Sequence, residues 1–325
     1  ADGTKKLCGT NVRDWKAGVG GPVVRAGIYD GEIYDARRPP MYAALGDLGA
    51  PEPNNEFKGE ILPTAGAEVV LRRDLAMKPV RAYTWKGVTG ANDKEGKDRV
   101  FGTVKVLRRF DPQGALAVEP GMTLVVDFGQ NAAAVPAFLF EADEGTELTV
   151  LPGEMLNDGN GERSRGNDGP SGSLYRENLR IAADGMTLKY TFGAADGPVT
   201  YWPKFTFFGY RYLSLTATKK VVIHALRSVP VTSITKEMET GRLETGDKDL
   251  NRFIANVYWG QLSNYLSVPT DCPQRNERLG WTADTQVFCE AGAFNADTRT
   301  FFRKWLRDLR DVQAAAEAGN EDAEL

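Results

Sequence analysis

Two hydrophobic periods divide this chain of 325 residues. Between Glu68 and Val231 the apolar residues fall in short runs, at 69–71, 80–85, 100–107, 122–128, 137–141, 147–151 and 221–231. β-branched and aromatic residues fill these runs, and polar or Gly/Pro stretches such as 90–97 and Pro120-Gly121 separate them, which predicts a series of strands. Beyond Gly241 the period lengthens. Leu250, Phe253, Ile254, Val257, Tyr258, Leu262 and Tyr265 recur at helical spacing, and so do Phe301, Phe302, Trp305, Leu306, Leu309 and Val312. Asp247 or Asp249 can cap the first of these helices and Asp297 the last. A helix between them, over 285–294, carries Val287, Phe288 and Ala291 on one side. Residues 314–325, rich in Ala, Glu and Asp, are expected to fray.

Ahead of the strands, Asp14-Trp15-Lys16-Ala17 and Gly20-Gly21-Pro22 lead to a turn at Asp30-Gly31, which is flanked by β-forming residues. Pro51, Pro53 and Pro63 lie in an apolar-poor stretch that reads as a linker. The Gly- and Asn-rich segment 157–172 reads as a flexible loop, and its spacing does not match a calcium-binding EF-hand. The aromatics of 201–212 alternate as in a sandwich core, with an exposed lectin-like platform as the competing reading. Between the first two helical patterns, Ser267 to Asp284 reads Ser-Val-Pro-Thr-Asp-Cys-Pro-Gln-Arg-Asn-Glu-Arg-Leu-Gly-Trp-Thr-Ala-Asp. Pro269, Pro273 and Gly280 forbid a continuous helix, so this is a loop. It gathers three carboxylates, Asp271, Glu277 and Asp284, around Arg275, Arg278 and Trp281. Carboxylates supply the acid and base of glycosidic cleavage, arginines and acids hold sugar hydroxyls, and an indole covers a sugar ring's C–H face. A solvated, salt-bridged loop is the plainer alternative.

The string from Asp271 to Asp284 resembles the signature of bacterial α-L-rhamnosidases of glycoside hydrolase family 78, departing from its usual form only at Asn276 (usually Asp) and Ala283 (usually Gly). The resemblance extends upstream. Asp127-Phe128-Gly129-Gln130-Asn131, Gly153-Glu154-Met155-Leu156 and the aromatic string 201–212 are similar to segments of the family's concanavalin-like domain, although Ala132 to Ala134 stand where a Gly is usual. Gly31-Glu32-Ile33-Tyr34-Asp35-Ala36-Arg37 is similar to the end of its N-terminal β-domain.

The resemblance implies an antiparallel β-sandwich followed by the first helices of an (α/α)6 barrel, truncated at both ends. Its division would be the end of an N-terminal β-domain (1–45), a linker (46–66), the sandwich (67–232), a second linker (233–246) and an incomplete helical domain (247–325). It implies an enzyme that cleaves terminal α-L-rhamnose by inversion, with Glu277 as general acid and with Asp271, Trp281 and Asp284 on the sugar. Arg275 and Arg278 are substrate clamps or scaffold pairs, with scaffold favoured. The family's general base is a glutamate far downstream, with no matching position here, so this chain alone is expected to lack rhamnosidase activity; Glu290 is the first alternative. The competing reading is a non-catalytic carbohydrate-binding or structural β-sandwich fragment of a hydrolase. The expected partner is a rhamnose-containing glycoside or oligosaccharide, and no cofactor is implied.

Composition narrows the alternatives. A net charge of −4 gives no broad basic surface for nucleic acid, and no apolar run approaches the ~20 residues of a membrane span. No secretory signal opens the chain, which leaves cytoplasmic, periplasmic and secreted locations open. Cys8, Cys272 and Cys289 suit neither a disulfide framework nor a zinc site. The single histidine, His224, lies in a strand-like run and reads as structural.

Overall fold

The computed structural model describes residues 18, 20–40, 66–95, 98–158, 167–183 and 185–319. Cys8, Trp15, the expected linker up to residue 65, the middle of the 157–172 loop and the last six residues lie outside the described residues. A hairpin of β1 (Val23–Gly27) and β2 (Gly31–Asp35) comes first. Then follow β3 (Val70–Leu71), β4 (Arg81–Thr89), β5 (Thr103–Phe110), β6 (Leu116–Val118), β7 (Thr123–Glu141), β8 (Glu147–Gly153), β9 (Met155–Leu156) and β10 (Leu174–Tyr175). The last long strands are β11 (Thr187–Thr191), β12 (Val199–Tyr201), β13 (Phe208–Ala217) and β14 (Val221–Thr232). All but β9 and β10 join one twelve-stranded sheet, with the path β1-β2-β11-β8-β13-β7-β14-β3. The sheet is mixed rather than wholly antiparallel. β2 pairs with β11 in parallel, Gly31 opposite Thr187, because the early hairpin enters the sheet beside a strand formed far later in the chain.

β7 organises the sheet. The apolar runs expected as separate strands at 122–128 and 137–141 are one strand of 19 residues, carried through a bend at Gly129 (φ 78°). Its first part pairs with β4 and its second with β14, while β13 follows both across a bulge between Tyr210 and Tyr212. Asp127, buried in this bend, accepts from Gly129 N at 2.8 Å and from Arg211 at 2.8 and 3.1 Å. Side chains of a strand alternate between faces. Ala132 and Ala134 therefore enter the main core with Phe138, Phe140, Tyr190 and Tyr210, whereas Ala133 and Val135 meet Val229, Val231 and Leu266 on the other face. Tyr201, Phe208, Tyr210 and Tyr212 are buried as core residues, while Phe205 is 64% exposed. His224 sits at a bulge in β14, 3.1 Å from Glu141.

The helices are α1 (Lys248–Asn264), α2 (Thr282–Asn295) and α3 (Arg299–Glu317), with a tight hairpin of β15 (Tyr265–Leu266) and β16 (Val268–Pro269) after α1. Asp247 caps α1, accepting from Asp249 N and Leu250 N. Asp297 serves α3 from one residue outside the cap position. Thr298 holds that position without a side-chain bond, and Asp297, one residue further out, accepts from the backbone N–H of Arg299, the first residue of α3, at 3.2 Å and from the Arg299 guanidinium. On α2 only Phe288 of the expected stripe turns inward; Val287 is 85% exposed and Ala291 is exposed, because the helix leans on its neighbours through Phe288 and the buried Gly292. Tyr265 stacks on Phe301 at 4.4 Å in a cluster with Ile234, Leu262 and Ala296. Arg72 ties sheet to helices. Its buried guanidinium donates to Ile234 O (2.9 Å), to Asp74 and to Glu239, which also accepts from the Tyr258 hydroxyl.

Candidate active site

The loop between β16 and α2 is pressed between the sheet and α3. Two glycines permit the close approach. A Cβ on Gly209 of β13 would fall 2.7 Å from Gln274 N, and one on Gly280 would fall 2.2 Å from the Trp305 ring of α3. The hairpin ahead of the loop turns at Ser267 (φ 66°), whose N–H donates to Ser233 Oγ. Thr270 N then donates to Asn264 O, fixing where Asp271 leaves the end of α1.

Arg275 joins two of the carboxylates. Its Nη2 lies 3.1 Å from Asp271 Oδ2, and its Nη1 is ion-paired with Glu277. Arg278, only 6% exposed and in the left-handed region (φ 48°), meets no carboxylate among the described residues. It donates to Arg275 O (3.0 Å), Ile28 O (2.5 Å) and Phe207 O (3.4 Å), and the rings of Phe207 and Tyr29 face it at 4.4 and 6.0 Å. Burial pulls its pKa down to about 10. Carbonyls and aromatic faces thus hold this arginine as an internal strut. The Tyr29 hydroxyl, from the β1–β2 turn, donates to Glu277 O at 3.2 Å. Cys272 is half-buried, and burial together with the Asp271 carboxylate pushes its thiol up to about 11.

Asp271 and Asp284 line one cleft of about 310 Å³, whose walls include Val257, Asn264, Tyr265 and Phe288. Asp284 stands in the first turn of α2, where the helix dipole favours a negative charge. Asp271 Oδ1 is buried without a hydrogen-bond partner among the described residues. Glu277 and Trp281 are not on the walls of this cleft. Trp281 precedes α2 with 42% of its surface exposed. Sequence reasoning missed Tyr29, Gly209 and Asn264, none of which belongs to the signature string. No group of three His, Cys, Asp or Glu side chains placed to hold a metal occurs among the described residues, and no described helix is long and apolar enough to cross a membrane.

A large sheet, helices stacked on one of its faces and a carboxylate-bearing loop between them make a β-domain coupled to a helical one. Residues 118–235 match the bacterial alpha-L-rhamnosidase concanavalin-like domain, and residues 238–320 match the bacterial alpha-L-rhamnosidase 6 hairpin glycosidase domain. The chain belongs to the bacterial α-L-rhamnosidases. An alpha-L-rhamnosidase of Streptomyces avermitilis is 33% identical over 322 residues, which are 97% of this chain and 26% of the relative. One from Formosa agariphila is 29% identical over 92% of this chain and 27% of its own length. The crystal structure of the Streptomyces avermitilis alpha-L-rhamnosidase complexed with L-rhamnose superposes with a TM-score of 0.65 at 28% identity, over 90% of this chain and 24% of that one. Native rhamnosidase from Aspergillus terreus shares the fold, with a TM-score of 0.68 at 24% identity over 97% of this chain and 31% of that one. The chain spans about a quarter of the length of the curated relatives it matches.

Proposed function

We propose that this chain supplies the proton-donating half of a glycosidase that removes terminal α-L-rhamnose from rhamnosides with inversion. The observation that carries this is the Asp271–Arg275–Glu277 ion-pair chain at the edge of the Asp271/Asp284 cleft. Glu277 is the general acid. It gives its proton to the glycosidic oxygen as the bond to the anomeric carbon breaks, while water activated by a second carboxylate attacks the opposite face. No residue of this chain is assigned that second role. Reaching a glycosidic oxygen requires the Arg275–Glu277 pair to open while Arg275 stays on Asp271. Asp271 and Asp284 accept sugar hydroxyls. The apolar wall of Val257, Tyr265 and Phe288 suits the methyl group of a 6-deoxy sugar, while Trp281, exposed and off the walls of the cleft, is assigned to the sugar by its place in the signature string alone. Arg275 acts as the clamp on the carboxylates and Arg278 as scaffold.

Calorimetric titration of the 325-residue protein with L-rhamnose tests the binding half. Asp271→Asn or Asp284→Asn should weaken binding about tenfold, the scale of one charge-assisted hydrogen bond. In a catalytically competent context Glu277→Gln should lower turnover of an unactivated rhamnoside by about 10² or more, since a positioned acid contributes roughly 10²–10⁴. Near-normal hydrolysis by that variant would remove Glu277 from the role.

A further inference from the structure

Away from the carboxylate cleft, the sheet gathers positive charge on the face opposite its main core. Alternate side chains of β7 leave on that face. Val125 packs with Tyr83 there, and Ala133 and Val135 meet Leu266, the Ala133 amide donating to Ser263 of α1. Asp127 lies between them at the bend of the strand. β4 and β13 flank β7 at this point, and each sends an arginine to it: Arg211 from β13 at 2.8 Å and Arg81 from β4 at 3.3 Å. Arg109 of β5, opposite Tyr83 in register, adds a third guanidinium. Arg81 and Arg109 lie 6.0 and 5.9 Å from the centre of the Tyr83 ring, and Arg211 lies 5.0 Å from that of Tyr212. One carboxylate thus serves three cations, and Arg109 has no acidic partner among the described residues.

The excess continues along β4 and β5. Residues 81–110 hold eight Lys and Arg against three Asp and Glu, in a chain whose net charge is −4. Lys86, Lys105 and Arg108 are exposed and carry no ion pair among the described residues. Cations on an edge strand such as β5 guard it against pairing with another chain. That role does not account for Arg81 and Arg211, which stand on strands paired on both sides. The aromatic support is rigid: Tyr83 and Tyr212 are buried, and the Tyr83 hydroxyl donates to Gly172 O at 2.6 Å. Buried rings leave no open aromatic face here for a nucleobase to stack on.

We propose that this face binds an acidic polysaccharide, a glycan chain that carries uronate carboxylates. From β13 to β5 is three strand spacings, roughly 14 Å, so the guanidiniums form a row rather than a single pocket. A row suits a polymer with repeated carboxylates, and each planar guanidinium can meet a carboxylate with two hydrogen bonds. Membership of a glycosidase family makes a glycan the polyanion at hand. The surface is separate from the rhamnose cleft and stands whatever the role of Glu277.

Calorimetric titration of the 325-residue protein at low salt, where exposed charges are least screened, tests it. The probes are polygalacturonate, neutral dextran, double-stranded DNA and vesicles rich in phosphatidylglycerol. Polygalacturonate is expected to bind, more tightly than DNA or vesicles, and dextran is expected not to. Arg81→Gln with Arg109→Gln should weaken polygalacturonate binding at least about tenfold, the scale of lost charge-assisted hydrogen bonds. Arg303→Gln with Arg307→Gln removes the same charge from exposed positions on α3 and should change affinity less than about twofold. Arg109→Glu, at an exposed position with no ion pair to lose, should weaken binding similarly and gives the answer if the Arg81 variant melts low. No binding of polygalacturonate, equal binding of dextran, DNA or vesicles as tight as polygalacturonate, or equal losses from the sheet and α3 variants would overturn the assignment.

Discussion

At the scale of single residues, the fold holds several charged groups by geometry rather than by solvent. Glu32 is fully buried; it accepts from the Tyr201 hydroxyl at 2.5 Å and from the Lys204 and Phe205 amides at 2.9 and 3.2 Å. Tyr201→Phe removes one donor from a buried carboxylate, which should cost about 1.5–3 kcal/mol, read as a lower denaturation midpoint with an unchanged slope. Cys272 gives a pH signature. The thiolate is the reactive form, and a pKa near 11 lies about two units above the ordinary 9, so alkylation at pH 8 should run about a hundredfold slower than for an unperturbed thiol. The rate at Cys272 should climb until about pH 11, and peptide mapping after timed iodoacetamide treatment reads this; fast labelling at pH 8 would mean an open thiol. The carboxylates and arginines of the loop were legible because they form one contiguous string. Tyr29 was not. Its bond to Glu277 joins residues 248 apart and leaves no period or spacing in the sequence.

At the scale of elements, the helices were the most legible part. The stripe of α1 follows a 3.6-residue period and Asp247 stands where its cap is required. Asp247→Ala should destabilise by about 1 kcal/mol, since two N–H groups lose their acceptor, and amide exchange at Asp249 and Leu250 should accelerate. Unchanged exchange there would mean that water replaces the cap at no cost. α2 was harder to read. Val287 and Phe288 are adjacent and both apolar, and only packing on Tyr265 decides which one turns inward. β7 was read as two strands because Gly129, Gln130 and Asn131 interrupt its apolar run, while β13 on its flank pairs with it on both sides of the bend, at Leu124–Asp127 and at Ala132–Ala134. β11 escaped notice because five residues, Thr-Leu-Lys-Tyr-Thr, give too short a pattern to separate from a loop.

At the scale of the whole molecule, burial is uneven. The sheet core is closed around Phe138, Phe140, Tyr210 and Leu213, whereas Phe253, Val287, Phe294 and Leu306 on the helices are each more than half exposed. Apolar surface of this kind attracts other apolar surface. The 325-residue protein should therefore enhance the fluorescence of a hydrophobic dye in its native state, and Val287→Glu with Leu306→Lys should reduce that signal without lowering the melting temperature. A native protein that leaves the dye dark would show that these side chains pack against one another in solution.

The contact of the β1–β2 turn with the signature loop also sets an order in time. Ile28 is synthesised 250 residues before the arginine that grips its carbonyl. At about 5–20 residues per second, the ribosome takes roughly 12–50 s to cover that stretch. β2 gains its parallel partner when β11 emerges, so the hairpin is seated in the sheet while the loop it will brace does not yet exist. The brace is built first and the loop is laid onto it, so a pause in translation between Thr232, the end of β14, and Arg278 holds the nascent chain with the strands of its sheet synthesised and the docking face for the signature loop still bare.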